Sequence, residues 1–189
     1  MSVTARKGMP LGRLEGALSK LFTKAARVAA IADVADGFRL VTLAGEALVG
    51  VEWAPGQKVQ VMLGGWVQRT YTPLSWNAQA GETQLLAFVH GDGPGAAWAR
   101  GLEEGDGCAL FGPRGSLDLN ALGRPALLFG DETSFALAHA LRFTPASAQG
   151  AHLVLEVTSK AASAAALDAI GVEGAHLVER RPEDVHLGE

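Results

Sequence analysis

The chain has 189 residues, 48% of them hydrophobic and 19% charged, with a net charge of −4. That balance describes a globular chain of one or two small domains, and the mild acidity with no basic run argues against a nucleic-acid partner. No apolar run approaches the ~20 residues of a membrane span, MSVTARKGMP at the N-terminus lacks the apolar stretch of a signal peptide, and the lone Cys108 rules out an internal disulfide or a cysteine-based metal site within these residues. A cytoplasmic protein without a membrane partner is therefore expected.

Gly12–Ala25 carries Leu14, Leu18, Leu21 and Phe22 at helical spacing, which predicts a short amphipathic helix. From Arg27 the periodicity changes. RVAAIADVADGFRLVTLAG reads as two strands turning at Ala35-Asp36-Gly37, an acid-glycine hairpin signal. Ala54-Pro55-Gly56-Gln57 is a further turn, followed by a third strand over Lys58–Leu63. Val67–Trp76 reads as the fourth strand, Thr83–Val89 as the fifth and Gly107–Phe111 as the sixth. Six short strands with Gly and Pro turns predict an antiparallel β-barrel over residues 27–122, after a lead-in of residues 1–26. Cys108, in the apolar sixth strand, reads as a core residue.

Beyond Leu122–Pro125 the pattern is strand, helix, strand, helix, strand: ALLFG (126–130), Thr133–Phe143, HLVLEV (152–157), Ala161–Ile170 and His176–Val178. Continuous apolar strands alternating with helices predict a parallel α/β sheet over residues 123–189. A doubly wound nucleotide domain has about five or six strands, so the three counted here are a truncated one, either a fragment or a reduced second domain.

Four stretches carry chemistry. In Arg69-Thr70-Tyr71-Thr72 the strand periodicity puts Arg69 and Tyr71 on one side and Thr70 and Thr72 on the other. A guanidinium beside a phenol suits a ligand with a phosphate and an aromatic ring system, although such a pair is also an ordinary feature of a solvated sheet. In HGDGPGAAW, Gly91, Gly93 and Gly95 allow close backbone approach, and Pro94 suits a first helical turn whose free N–H groups attract phosphate; a plain tight turn explains the same composition. GPRGS presents Arg114 on a glycine-flanked turn. GDETS places Asp131, Glu132, Thr133 and Ser134 where a parallel strand meets its helix, as a capping box or a phosphate site, with Thr133 and Ser134 the preferred contacts because the acids would oppose a phosphate. Ser159 and Lys160, at the end of the second parallel strand, favour a 2′-phosphate over a bare ribose and hence NADPH over NAD, although a lysine capping a loop explains the residue equally well. Arg180 and Arg181 follow the third. The five histidines offer no metal-binding pair, and Ser116 and Ser134 have no evident base partner, so neither a resident metal nor hydrolase chemistry is expected.

The succession R-T-Y-T, HGDGPGAAWA, GPRGS and GDETS, in that order over Arg27–Arg181, resembles the siderophore-interacting protein family, FAD-dependent ferric-siderophore reductases related to ferredoxin reductases. The resemblance implies an FAD site built from Arg69, Thr70, Tyr71, Thr72, His90, Gly91, Gly93, Gly95, Ala96 and Trp98, with a nicotinamide junction at Asp131, Thr133, Ser134, Ser159 and Lys160. It implies Arg114 and Arg181 as contacts for an anionic ferric siderophore, NADPH or ferredoxin as electron donor, and no catalytic acid or base, because the cofactor carries the chemistry. Two features depart from the family pattern. Pro73 and Leu74 stand where a second arginine is common, and the segments that complete the nicotinamide pocket have no counterpart before Glu189, so FAD is better supported than NADPH. A general flavin or ferredoxin-type reductase and a non-catalytic siderophore-binding barrel are the alternatives.

Overall fold

Strict alternation builds the first half of the chain. Val41 and Leu43 on one strand, and Leu85 and Ala87 on the next, are at most 1% exposed, so every second residue of each faces inward. In the computed structural model, which describes residues 23–64, 67–115, 117–123, 125–145 and 150–182, these strands are β2 (Phe38–Ala44) and β6 (Glu82–Phe88), flanked in sequence by β1 (Lys24–Ala35), β3 (Lys58–Gly64), β4 (Val67–Tyr71), β5 (Ser75–Asn77) and β7 (Gly107–Arg114). They form a seven-stranded sheet in the order β4-β3-β7-β1-β2-β6-β5, with every neighbouring pair antiparallel. The Asp36-Gly37 turn stands where its signal placed it: Ala35 pairs with Phe38, and Gly37 takes φ 73°, which a side chain resists.

The strand expected over Val67–Trp76 is two strands, which changes the count from six to seven. Pro73 has no N–H for a ladder, and the Leu74 N–H leaves the β3 side to donate to Gln84 O at 2.8 Å. β4 pairs with β3 and β5 with β6, so consecutive strands form the two edges of the sheet. Only Thr72-Pro73-Leu74 joins them, so the sheet must curl until its edges meet. The wholly buried Val59, Val61 and Leu110 fill the inside of the curl with Val41 and Leu43. Cys108 lies in this core, where burial, and after it the nearby Asp106 carboxylate, push its thiol up to about 11 and leave it unreactive.

The helix expected over Gly12–Ala25 falls almost wholly outside the described residues. Its last two positions, Lys24 and Ala25, are strand residues paired with Leu110 and Ala109.

Helix α1 (Pro94–Gly101) connects β6 to β7. After β7 come β8 (Leu127–Asp131), a 3-10 turn over Glu132–Ser134, α2 (Phe135–Leu141), β9 (His152–Val157), α3 (Lys160–Ala169) and β10 (His176–Glu179). β8, β9 and β10 form a parallel sheet in the order β10-β9-β8. Leu155 and Val157 on β9, Phe135 and Leu141 on α2, and Leu167 on α3 share one core, and Phe38, Leu74 and Leu86 of the antiparallel sheet belong to it too. The expected boundary at Leu122–Pro125 lies between β7 and β8, yet the core crosses it: the Phe38 and Phe135 rings stack 5.3 Å apart at 9°.

Candidate functional site

The stacked rings do not stop in the core. Phe88 stacks on Phe38 at 4.8 Å, and His90 stacks on Phe88 at 4.5 Å. This column leads to a cleft of ≈ 540 Å³ between β4, the end of β6, the start of α1 and the Glu132–Ser134 turn. Its floor is apolar, formed by Leu86, Phe88 and Ala136. Its walls are Arg69, Thr70, Tyr71 and Thr72 on one side, His90, Gly91, Gly93, Gly95 and Ala96 on a second, and Glu132 and Thr133 on a third. All four residues of the R-T-Y-T stretch line it, strand alternation notwithstanding, Thr72 lying just beyond the end of β4.

The glycines make the cleft possible. Gly91 takes φ 59°, which favours glycine, and a Cβ at Gly91 or Gly93 would project into open space. Gly95 differs: its Cβ would lie 3.2 Å from Arg69 Cγ and 3.3 Å from Arg69 Nε. The Arg69 side chain therefore lies across the first turn of α1. No side chain caps that helix, Gly93 standing at the N-cap and Pro94 at the first position, so the Gly95 and Ala96 N–H groups and the guanidinium present one cationic edge. Arg69 donates to Gln68 O at 3.0 Å, which leaves its other N–H groups for a ligand.

Tyr71 is half-buried, its ring 5.8 Å from that of Trp98. Burial pushes its hydroxyl up to about 12, the Arg69 charge pulling weakly the other way, so at neutral pH it is a donor. Trp98 packs behind Tyr71 and does not line the cleft.

The GDETS turn is a capping box. Asp131 accepts the Thr133 N–H at 2.9 Å and the Thr133 hydroxyl at 2.5 Å, and the Ser134 hydroxyl accepts the Asp131 N–H at 3.4 Å. Thr133 and Glu132 therefore face the cleft, whereas Asp131 and Ser134 hold the turn. Glu132, whose acid argued against phosphate in the sequence, is 4% exposed and paired. Its carboxylate accepts Arg180 Nη1 at 3.0 Å and the Thr158 N–H at 2.5 Å. Burial alone would raise its pKa; the N–H groups of Thr158 and of Glu132 itself, the Thr158 hydroxyl and the Arg180 guanidinium outweigh it and hold the carboxyl below its usual range.

The remaining predicted residues lie elsewhere. Ser159 caps α3, accepting the Ala162 N–H at 3.3 Å. Lys160 and Arg181 line a second cleft of ≈ 410 Å³ that runs along β10, with His176 and Arg180. Arg114 lies outside both, donating to Gln60 Oε1 at 2.8 Å and sitting 5.2 Å above the Phe111 ring. Among the described residues no three His, Cys, Asp or Glu side chains group to hold a metal ion, and no helix is long and apolar enough to cross a membrane.

A Gly95→Ala change tests the Arg69–Gly95 contact. We expect the ligand-free melting temperature to hold or rise, since Ala is the better helix residue by ~1 kcal/mol, while flavin affinity falls severalfold as Arg69 is displaced. Equal affinities would show that Arg69 need not rest there.

Residues 64–117, which hold the R-T-Y-T stretch and α1, match the model of the siderophore-interacting FAD-binding domain. The fold is similar to that of the siderophore-interacting protein SipS from Aeromonas hydrophila, at 22% identity over 86% of this chain and 69% of that one, with a TM-score of 0.66. It is also similar to the siderophore-interacting protein of Acinetobacter baumannii (16% identity, 88% and 71% covered, TM-score 0.69). A ferredoxin NADP+ reductase from Neisseria gonorrhoeae, solved with FAD and NADP bound, matches at 15% identity over 84% of this chain and 68% of that one, with a TM-score of 0.61. No curated protein matches the sequence. The apolar floor, the glycine wall and the cationic edge suit a flavin with its pyrophosphate, and residues 64–117 match the siderophore-interacting FAD-binding domain within a fold similar to that of siderophore-interacting proteins and a ferredoxin NADP+ reductase.

Proposed function

We propose that this chain is an FAD-dependent oxidoreductase that reduces Fe(III) in ferric siderophores. The observation that carries the reading is Arg69 lying across Gly95 at the uncapped start of α1, beside an apolar floor, within the segment that matches an FAD-binding domain. Arg69, Thr72 and the Gly95 and Ala96 N–H groups would hold the pyrophosphate. Tyr71, Thr70, Phe88 and His90 would bound the ring system, and Leu86 and Ala136 keep water from its underside.

FAD, when bound, would supply the redox chemistry, two electrons arriving from NADPH or ferredoxin and leaving singly to Fe(III). Lys160 and Arg181 would receive the donor's phosphate in the second cleft, beside β10. Arg114, at the end of β7, would meet the carboxylate or catecholate oxygens of the siderophore. Reduction weakens hard-oxygen coordination and frees the iron. Cytoplasmic location follows from this role and is part of the proposal.

The test is a visible absorption spectrum of the purified protein with added FAD, then with NADPH under anaerobic conditions, then with a ferric siderophore. Flavin bands that bleach with NADPH and return with the ferric siderophore are expected. Bands that NADPH leaves unchanged but reduced ferredoxin bleaches would assign the donor. Return of the bands with artificial acceptors but not with ferric siderophores would favour a general flavin reductase, which the ferredoxin-reductase-like fold also accommodates. A protein that takes up no FAD would sink the proposal and leave a siderophore-binding barrel.

A further inference from the structure

We propose that Arg39 on β2 is a positioning residue for the phosphate-binding start of α1, acting through that helix's opposite end; the inference rests on reading the Arg69–Gly95 cleft as the FAD site. A helix leaves its last carbonyls without intrahelical partners, and many helices resolve this with a left-handed glycine. α1 does not: Leu102 after it is extended, at φ −67°. The donor comes instead from a strand 60 residues away. Arg39 Nη1 donates to Ala99 O at 2.5 Å and to Arg100 O at 3.2 Å, while its Nε donates to Asp33 Oδ1 at 2.8 Å.

The base of this strut is fixed. β2 is paired on both sides, Arg39 standing opposite Asp33 on β1 and Ala87 on β6, and the Arg39 side chain is only 19% exposed. Its far end reaches the ligand. α1 has eight residues, about 12 Å of rigid rod, so a shift or tilt at Ala99 is carried to Gly95 and Ala96 in the cleft wall. Arg100, in the last turn, also donates to Gly91 O and ties the glycine loop to the same helix end. A guanidinium at a helix C-terminus also favours the macrodipole. A cap from within the helix would satisfy the carbonyls equally well, but only one from β2 also fixes the orientation of α1 against the barrel.

The test compares Arg39→Met and Asp33→Asn with the wild type for binding of FAD, ADP and riboflavin, alongside the ligand-free melting temperature. ADP carries the pyrophosphate without the flavin, and riboflavin the reverse. In Arg39→Met we expect FAD and ADP to lose about tenfold in affinity, the effect of charge-assisted hydrogen bonds, while riboflavin changes by less than about twofold. Asp33→Asn, which leaves the cap but loosens its anchor, should shift the same two ligands less. Unchanged ADP binding in a folded Arg39→Met protein, or an equal loss of all three ligands with a lower melting temperature, would overturn the proposal and make Arg39 a plain helix cap. If Arg39→Met does not fold, Asp33→Asn is judged by the same pattern. A wild type that binds neither FAD nor ADP would overturn the FAD reading itself, and this inference with it.

Discussion

Glu132→Ala is expected to destabilise the protein by about 1–3 kcal/mol, the cost of leaving a buried backbone donor without its acceptor. The Glu132 side chain is 2% exposed and its carboxylate is shared by Arg180 and the Thr158 N–H; truncation orphans the Thr158 N–H, whereas Arg180, 37% exposed, keeps the Glu156 carboxylate and the Thr158 hydroxyl. At this chain length the fall in melting temperature is about 5 °C. Glu132→Gln keeps an oxygen for Thr158 but no charge for Arg180, and should lie between. The pH dependence separates charge from packing. Because the folded-state pKa of Glu132 is depressed, the stability it contributes is fully present above the ordinary carboxylate range and is lost as pH falls through the folded-state value. Denaturant midpoints measured at neutral pH and at successively lower pH should therefore converge for wild type and Glu132→Gln at the acid end. Parallel curves would mean that Glu132 acts by shape alone.

The pair that carries this prediction was illegible in the sequence, and the reason is geometric. Glu132 and Arg180 are 48 residues apart, and nothing local distinguishes a buried, neutralised acid from one that would repel phosphate. Arg39 and Ala99, 60 apart, are the same case. What could be read was contiguous. HLVLEV is β9 residue for residue, and its burial alternates, Leu153, Leu155 and Val157 buried and His152 exposed, so the apolar residues marked the strand without marking both faces as covered. The cleft walls were legible because R-T-Y-T and HGDGPGAA each deliver several neighbouring residues to one place. The unbroken β-propensity of Val67–Trp76 concealed the split at Pro73, although a proline inside a strand is itself the sign of an edge. That proline gives the sheet its closing joint, and no pattern of hydrophobicity states which two strands a joint will connect.

Arg69→Ala is expected to weaken FAD binding about 100-fold while leaving the fold intact. The side chain is exposed and bonded only to the neighbouring Gln68 carbonyl among its resolved contacts, so the ligand-free melting temperature should change by no more than ~0.5 kcal/mol allows. Against a pyrophosphate the same guanidinium supplies charge-assisted, bidentate hydrogen bonds of up to about 3 kcal/mol, which sets the hundredfold figure. Arg69→Lys retains a point charge without the planar fork and should lose about tenfold. The comparison with riboflavin identifies the group being held. If Arg69 reads phosphate, riboflavin binds Arg69→Ala and wild type alike, and the FAD affinity of the wild type falls with added salt more steeply than that of the variant. If riboflavin and FAD weaken together, Arg69 contacts the ring or ribityl chain, and the α1 start must hold the pyrophosphate unaided. If neither weakens, the cationic edge is not a phosphate site, and FAD, where bound, enters the cleft in another orientation.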